Sequence, residues 1–252
     1  METRLLYNSI FQRYSCRDFA SDLSLSQNTL TSLEKRISSI KPLLPSVRTV
    51  LVKEGFSRSL NNYSHHITPV DQGLIFIGKN DANSHIALGH TGEKAILWAT
   101  TLDIATCWLK GTFDLEEANQ LVKLSTEEKI LAVSPLGREK KNSKRDKHLL
   151  DRQKSRKPVK DFLQSDDPAL YPLFEAIRFA PSANNLQPWL FQAEDGIIEA
   201  SLQLDARLPI SYIDQGIAMF HAQLALNNAG FLGEFYFDDK RWLFNTRYKK
   251  SC

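Results

Sequence analysis

The stretch Ala180-Pro181-Ser182-Ala183-Asn184-Asn185-Leu186-Gln187-Pro188-Trp189 constrains this chain more tightly than any other. Pro181 and Pro188 fix φ and remove two backbone donors, which excludes helix and interior strand there. Ser182, Asn184, Asn185 and Gln187 then place four short polar side chains on a stiff loop. Each amide offers both a donor and an acceptor. Such a loop suits the edge of a planar heterocycle, where carbonyl and N–H groups alternate. The plainer alternative is a Pro-Asn turn that joins a helix to a strand.

Working outward from the loop, both halves of the chain show helices and short strands. Ser26 stands as N-cap of a helix through about Ser38, with Leu30, Leu33 and Ile37 at helical spacing. Pro42 and Pro45 end it. Residues 47–53, 74–78 and 129–135 read as strands. Gly89 and Gly92 precede an expected core helix over 93–109, and 115–124 reads as another helix. In the second half, 171–179 is an expected helix. Residues 189–193 and 196–204 form an expected hairpin around Asp195-Gly196. Residues 214–229 follow as a long buried helix. A strand pair, 234–237 with 242–244, closes the chain around Asp238-Asp239. A long βαβ alternation with a glycine fingerprint is missing, which argues against a Rossmann domain. The fold class is α+β.

The 252 residues suffice for a sizeable core. A hydrophobic fraction of 42% and a charged fraction of 24% are those of a soluble globular protein. Cys16, Cys107 and Cys252 are far apart, with no metal spacing and no disulfide framework. That usage points to a reducing, cytoplasmic setting and to no metal. The N-terminus lacks the apolar core of a signal peptide. The longest apolar-rich run, 95–109, is broken by threonines and an aspartate, too short and too polar to span a bilayer. No membrane partner is expected.

The net charge of +3 hides an asymmetry. Residues 138–160 hold eleven basic and three acidic residues, which leaves 21 basic and 26 acidic elsewhere. A nucleic-acid arm would need interleaved aromatics to stack on bases, and Phe162 stands alone nearby. The expectation is therefore no nucleic acid. Most of the connector reads as solvated surface, and a few members read as a phosphate site.

The Pro181–Trp189 string resembles the Pro-Ser-x-x-Asn-x-Gln-Pro-Trp segment of the nitroreductase family of FMN enzymes. Other segments extend the resemblance over most of the chain. Arg13-Tyr14-Ser15-Cys16-Arg17-Asp18-Phe19 resembles the family's opening Arg-x-Ser-x-Arg-x-Phe segment. The resemblance implies that Arg13, Tyr14, Ser15 and Arg17 face the FMN phosphate and ribityl chain. Two guanidiniums and a hydroxyl suit a dianion. Cys107-Trp108-Leu109-Lys110-Gly111-Thr112-Phe113-Asp114 resembles the segment whose backbone N–H groups approach flavin N5 and O4. That implies a cofactor role for Lys110 and Gly111. A helix C-cap at Gly111 is the structural alternative, and both can hold. Lys154-Ser155-Arg156-Lys157-Pro158 resembles the basic Lys-x-Arg segment that completes the phosphate site through Lys154 and Arg156. Pro181, Ser182, Asn184, Asn185 and Gln187 complete the implied cofactor set. No side chain is assigned to catalysis. The group beside flavin N1 and O2 is not assigned: Lys79 is a candidate by position alone, and His65, His66 and His90, equally unproven, read first as surface or capping residues.

The segments are out of the order of a usual family subunit. There the Asn-rich loop follows the Arg-x-Ser-x-Arg segment within a helix and a turn. Here Lys41-Pro42-Leu43-Leu44-Pro45-Ser46-Val47-Arg48 takes that place, with prolines but no amides. The Asn-rich loop comes after the Lys-x-Arg segment instead. This order is similar to that of a fused subfamily, which also carries strings like Thr106-Cys107-Trp108 and Asp214-Gln215-Gly216-Ile217-Ala218-Met219. It implies two family-like halves in one chain, residues 1–160 with the basic connector and residues 161–252. The expected fold is nitroreductase-like, an intramolecular pseudo-dimer around one flavin site. A monomer would then hold one FMN. NADH or NADPH would deliver hydride to flavin N5 and be replaced by a small-molecule, electron-poor acceptor such as a nitroaromatic or a quinone. The alternative is a non-catalytic flavin-binding or scaffold protein that retains the fold.

Overall fold

The computed structural model describes residues 2–20, 22–60, 67–141, 145–203 and 211–247. Two long helices lie at its centre. α1 (Glu2–Gln12) buries Leu6, Ser9 and Ile10 and rests on both of them. α2 (Gln27–Ser38) starts at its expected N-cap, where the Ser26 side chain accepts from Thr29 N, and it buries Leu30 and Leu33.

The first sheet has the order β1 (Val47–Val52), β2 (Gln72–Lys79), β4 (Glu128–Gly137) and β3 (Ala105–Thr106), all antiparallel. β2 is buried along nearly its whole length. Its unbroken Leu74-Ile75-Phe76-Ile77 run is what a strand covered on both faces requires. One face packs on α3 (Ala82–Thr101), and α4 (Leu115–Gln120) lies beside β4. The second sheet has the order β5 (Leu163–Ser165), β6 (Trp189–Glu194), β7 (Ile197–Leu202), β9 (Trp242–Asn245) and β8 (Tyr236–Phe237). β5 runs parallel to β6, and the other pairs are antiparallel. The β6–β7 turn is the expected one. Asp195 and Gly196 both have positive φ, 50° and 75°, as a two-residue turn of this hand requires. α5 (Arg145–Lys154) lies in the basic connector, α6 (Leu170–Phe174) continues into a tight turn over Glu175–Phe179, and α7 (Tyr212–Asn228) packs on β6 and β7.

α3 and α7 cross at glycines. A Cβ on Gly216 would overlap the Ile86 carbonyl oxygen, and one on Gly89 would overlap that of Ile213. The two backbones are therefore in direct contact, an approach only glycine allows. One core runs from Leu74 and Phe76 of the first sheet through Ala95, Met219 and Phe220 of the helices to Phe191 and Trp242 of the second sheet.

Several expectations change. The helix expected over 93–109 begins at Ala82, capped by Asp81, and stops at Thr101. Gly89 and Gly92 read as a break in the sequence but lie inside the helix, because close neighbours fill the space beside them. The chain leaves α3 through Asp103 at φ 56°, and the apolar residues after it form β3 and a wall of the cleft described below. The helix expected over 115–124 ends at Gln120. The connector expected as solvated surface contains α5. His65 and His66 lie outside the described residues.

Candidate functional site

A cleft of about 510 Å³ opens where the two sheets and the crossing helices meet. Its first wall comes from two segments of the N-terminal half. Ser15 bridges Thr106, and Cys16 N donates to Thr106 O at 2.9 Å, so the 13–19 segment lies alongside β3. This brings Ser15 and Arg17 to the cleft together with Trp108, Leu109, Lys110 and Thr112. Trp108 stacks on Phe76 with centroids 4.2 Å apart. Gly111 adopts φ +73° with open space where a Cβ would stand, so the backbone is bare at this turn. Beneath the wall lie Cys16 and Cys107. Burial pushes the Cys16 thiol up to about 11 and raises Cys107 as well, which leaves both unreactive.

The second wall is the Asn-rich loop. Asn184, Asn185 and Gln187 all have positive φ, at 49°, 59° and 49°. Asparagine tolerates this region, whereas for Gln187 it is a strain that the surrounding bonds must hold. Ser182 Oγ accepts from Gln187 N at 3.0 Å. Gln187 Oε1 accepts from Lys157 N at 2.9 Å, and Gln187 Nε2 donates to Asn185 O at 3.0 Å. Lys157 Nζ donates to Gln187 O at 3.1 Å, and Asn185 Nδ2 donates to Ser155 O at 3.0 Å. The amides of Asn185 and Gln187 therefore tie the loop to residues 155–157 and do not line the cleft. Pro181, Ser182, Ala183 and Asn184 do. This corrects the expectation that all four polar side chains face a ligand.

Two buried guanidiniums, Arg13 and Arg156, feel one another's charge, and neither is among the residues that line the cleft. The Arg13 side chain is buried, with Nε 3.7 Å from Glu93 Oε1. Burial lowers Arg13 from its ordinary range, and Glu93 opposes the shift. Arg156 has Nε and Nη1 buried without a hydrogen-bond partner. Burial first, then the charge of Arg13, pull Arg156 down to about 10, while Asp214 acts the other way. Buried N–H groups with no acceptor are costly, and a charged acceptor repays them well. A multi-oxygen anion beside Arg156 would meet those groups. Glu93 is itself fully buried and accepts from Trp108 Nε1 at 2.7 Å. It faces His221 Nε2 at 3.0 Å, and His221 Nδ1 faces Ala176 O at 3.1 Å. Both ring nitrogens thus meet oxygens, which fixes the orientation of the ring.

Asp214 lines the cleft from the first turn of α7, and its Oδ2 accepts from Ala183 N at 3.0 Å. Burial pushes its carboxyl up to about 6, against the opposing effects of Ala183 N–H, Ser211, Lys110 and Arg156. Tyr14 stands in the smaller core cluster, stacked on His148 at 5.8 Å, and Lys154 is exposed at the end of α5. Neither lines the cleft. Lys79 pairs with Glu127 at 2.7 Å at its strand end. His90 is held against Gln223 at 3.0 Å and pulled down to about 4 by burial, which makes it a neutral structural group. Among the described residues no cluster of His, Cys, Asp and Glu could hold a metal ion. Glu93, Ser211 and the role of Asp214 were not anticipated. A signal for Glu93 existed, since it is the lone acid of α3 and stands close before the apolar run 95–99.

A family model described as "Putative TM nitroreductase" matches residues 5–226, and the chain belongs to that nitroreductase family. The fold is similar to that of a Thermotoga maritima protein described as a putative nitroreductase. The two share 19% identity over 94% of this chain and 92% of that one, with a TM-score of 0.62, a likeness of fold. An FMN-dependent nitroreductase of Clostridium difficile aligns with 54% of this chain and 88% of its own, at 11% identity and a TM-score of 0.44. A Bacteroides thetaiotaomicron protein described as a putative NADH dehydrogenase/NAD(P)H nitroreductase aligns with 56% of this chain and 94% of its own, at 15% identity and a TM-score of 0.42. No curated protein matches the chain. No helix of the described residues is long and apolar enough to cross a membrane.

Proposed function

We propose that this nitroreductase-family protein is an FMN-dependent oxidoreductase that carries electrons from NADH or NADPH to an electron-poor small molecule, such as a nitroaromatic or a quinone. The observation that carries the reading is the pair Arg13 and Arg156, with Nε and Nη1 of Arg156 buried and without an acceptor. FMN carries one terminal phosphate, and this donor set fits it. Arg13, Ser15 and Arg156 would hold that phosphate, with the exposed Lys154 adding long-range attraction. When bound, FMN supplies the hydride chemistry.

The remaining steps belong to the chain. Trp108, Ile213 and Ile217 give the cleft an apolar wall that excludes water. The bare backbone at Gly111 leaves room for close approach from the first wall. Asp214 holds Ala183 N and fixes the loop that carries Ser182 and Asn184. We read residues 1–160 and 161–252 as two family-like halves that complete one site within one chain. Support comes from the division of each half into one sheet and one long helix, and from the glycine crossing that joins the helices. The test is extraction of the chromophore and reduction by NAD(P)H followed by absorbance. Bound FMN that is reduced and then reoxidised by a quinone supports the reading. A protein that takes up no FMN at micromolar concentration overturns it, and bound FMN that no nicotinamide reduces favours a non-catalytic role.

A further inference from the structure

The cleft carries more positive charge than one phosphate requires. Lys110 lines it with an exposed side chain, and no carboxylate of the described residues pairs with its ammonium. The Lys110 charge acts on two groups. It counters the upward push on Asp214 in the first turn of α7, and it adds to the lowering of His85 in the first turn of α3. Lys110, Ser211 and Asp214 all line the cleft, so the lysine shares it with the first turn of α7.

Ser211 occupies the N-cap position of α7 and makes no side-chain cap bond. It is 6% exposed and lines the cleft. Its Oγ makes no hydrogen bond of sound geometry, although it lies near enough to Asp214 to favour that carboxylate. α7 runs for 17 residues, and its N-terminal end carries the positive end of the helix dipole. An unpaired ammonium, a buried hydroxyl with spare capacity and a helix N-terminus thus meet at one place. Trp108, stacked on Phe76, supplies a flat aromatic face in the same cleft.

We propose that Lys110, Ser211 and the first turn of α7 form a subsite for a carboxylate, so that the acceptor bound here is an aromatic bearing an anionic group. This rests on the oxidoreductase reading above and names its substrate class. The groups facing Asp214 are Lys110 from the first wall, Arg156 from the connector, Ser211, and Ala183 N–H from the Asn-rich loop. An anion placed among them favours the protonated form of Asp214. Affinity for the anion therefore rises as pH falls from 7 through about 6.

Titration calorimetry of FMN-loaded protein with benzoate and with the neutral benzamide tests this. Benzoate is expected to bind about tenfold more tightly at pH 7, the effect of one charge-assisted contact. Lys110→Gln should remove the preference for benzoate over benzamide. Ser211→Ala should weaken benzoate about threefold. Lys147→Gln, an exposed change on α5, should have no effect. Equal binding of the two probes, a preference that survives Lys110→Gln, or an equal loss in Lys147→Gln overturns the subsite. The flavin titration is scored separately. FMN uptake without benzoate preference sinks this inference alone. Benzoate preference in a protein that takes up no FMN sinks the oxidoreductase reading and leaves the anion subsite standing.

Discussion

Two buried charged groups, Arg156 and Asp214, carry testable consequences. Arg156 has two buried N–H groups without acceptors. Arg156→Ala is expected to weaken FMN binding by roughly 1.5–3 kcal/mol, the range for a hydrogen bond to a charged group. Lys147→Ala, on the exposed face of the same basic run, should change little in a flavin fluorescence titration. Equal losses would mean that the connector acts only as diffuse charge. Asp214 is the second. Its folded-state carboxyl sits at about 6, above its ordinary 3.8. Between these two values the folded protein binds more protons than the unfolded chain, so stability falls as pH rises across that window and is level above it. The loss is of the order of 3 kcal/mol. Asp214→Asn keeps an oxygen for Ala183 N and loses the titration. The variant should therefore gain on the parent protein from pH 4 to 6.5 in thermal denaturation. A constant difference across that range would rule the buried carboxyl out as the source.

At the scale of elements, the α3–α7 crossing is the joint on which the cleft depends. Helix propensity alone says that Gly216→Ala should stabilise by about 1 kcal/mol. The Ile86 carbonyl occupies the space a Cβ needs, and backbone cannot swing aside as a side chain can. Overpacking should win, with a net loss of about 3 kcal/mol in chemical denaturation. A neutral or stabilising result would show that the helices are not in backbone contact. Sequence made some elements plain and hid others for physical reasons. Ser26 and Asp195-Gly196 are local devices whose chemistry needs only their neighbours, and both stand where expected. The start of α3 was misread because Gly89 and Gly92 look like breakers. They are glycine because the Ile213 carbonyl and the Trp108 and Phe76 rings fill the space beside them. No local signal carries that information.

For the whole molecule, the arrangement of the walls bears on assembly. Ser15 and Arg17 come from the first 20 residues, and Ser182 and Asn184 from beyond residue 180, yet one chain brings them to one cleft. The expected outcome is a monomer in light scattering that binds one FMN per chain. An obligate dimer whose flavin touches Ser15 of one protomer and Asn184 of its partner would overturn this. The shared core gives the same view from the inside. Leu74 and Phe76 of one sheet and Phe191 and Trp242 of the other are joined through α3 and α7, so the larger core is shared between the two sheets.

The sequence by itself determined the α+β class, the nitroreductase resemblance and the identity of both walls, because rigid motifs with prolines, amides and arginines carry their chemistry in consecutive residues. Of the residues it named, Ser15, Arg17, Lys110, Pro181, Ser182 and Asn184 line the cleft. Only the tertiary structure decided which members of those motifs face the cleft. Asn185 and Gln187 turned to hold residues 155–157, and Tyr14 went into a core, because a strained loop needs its own hydrogen bonds before it can present any to a ligand. Asp214 is held in the cleft wall by Ala183 N, 31 positions away, and Glu93 meets His221, 128 positions away, because the two long helices cross.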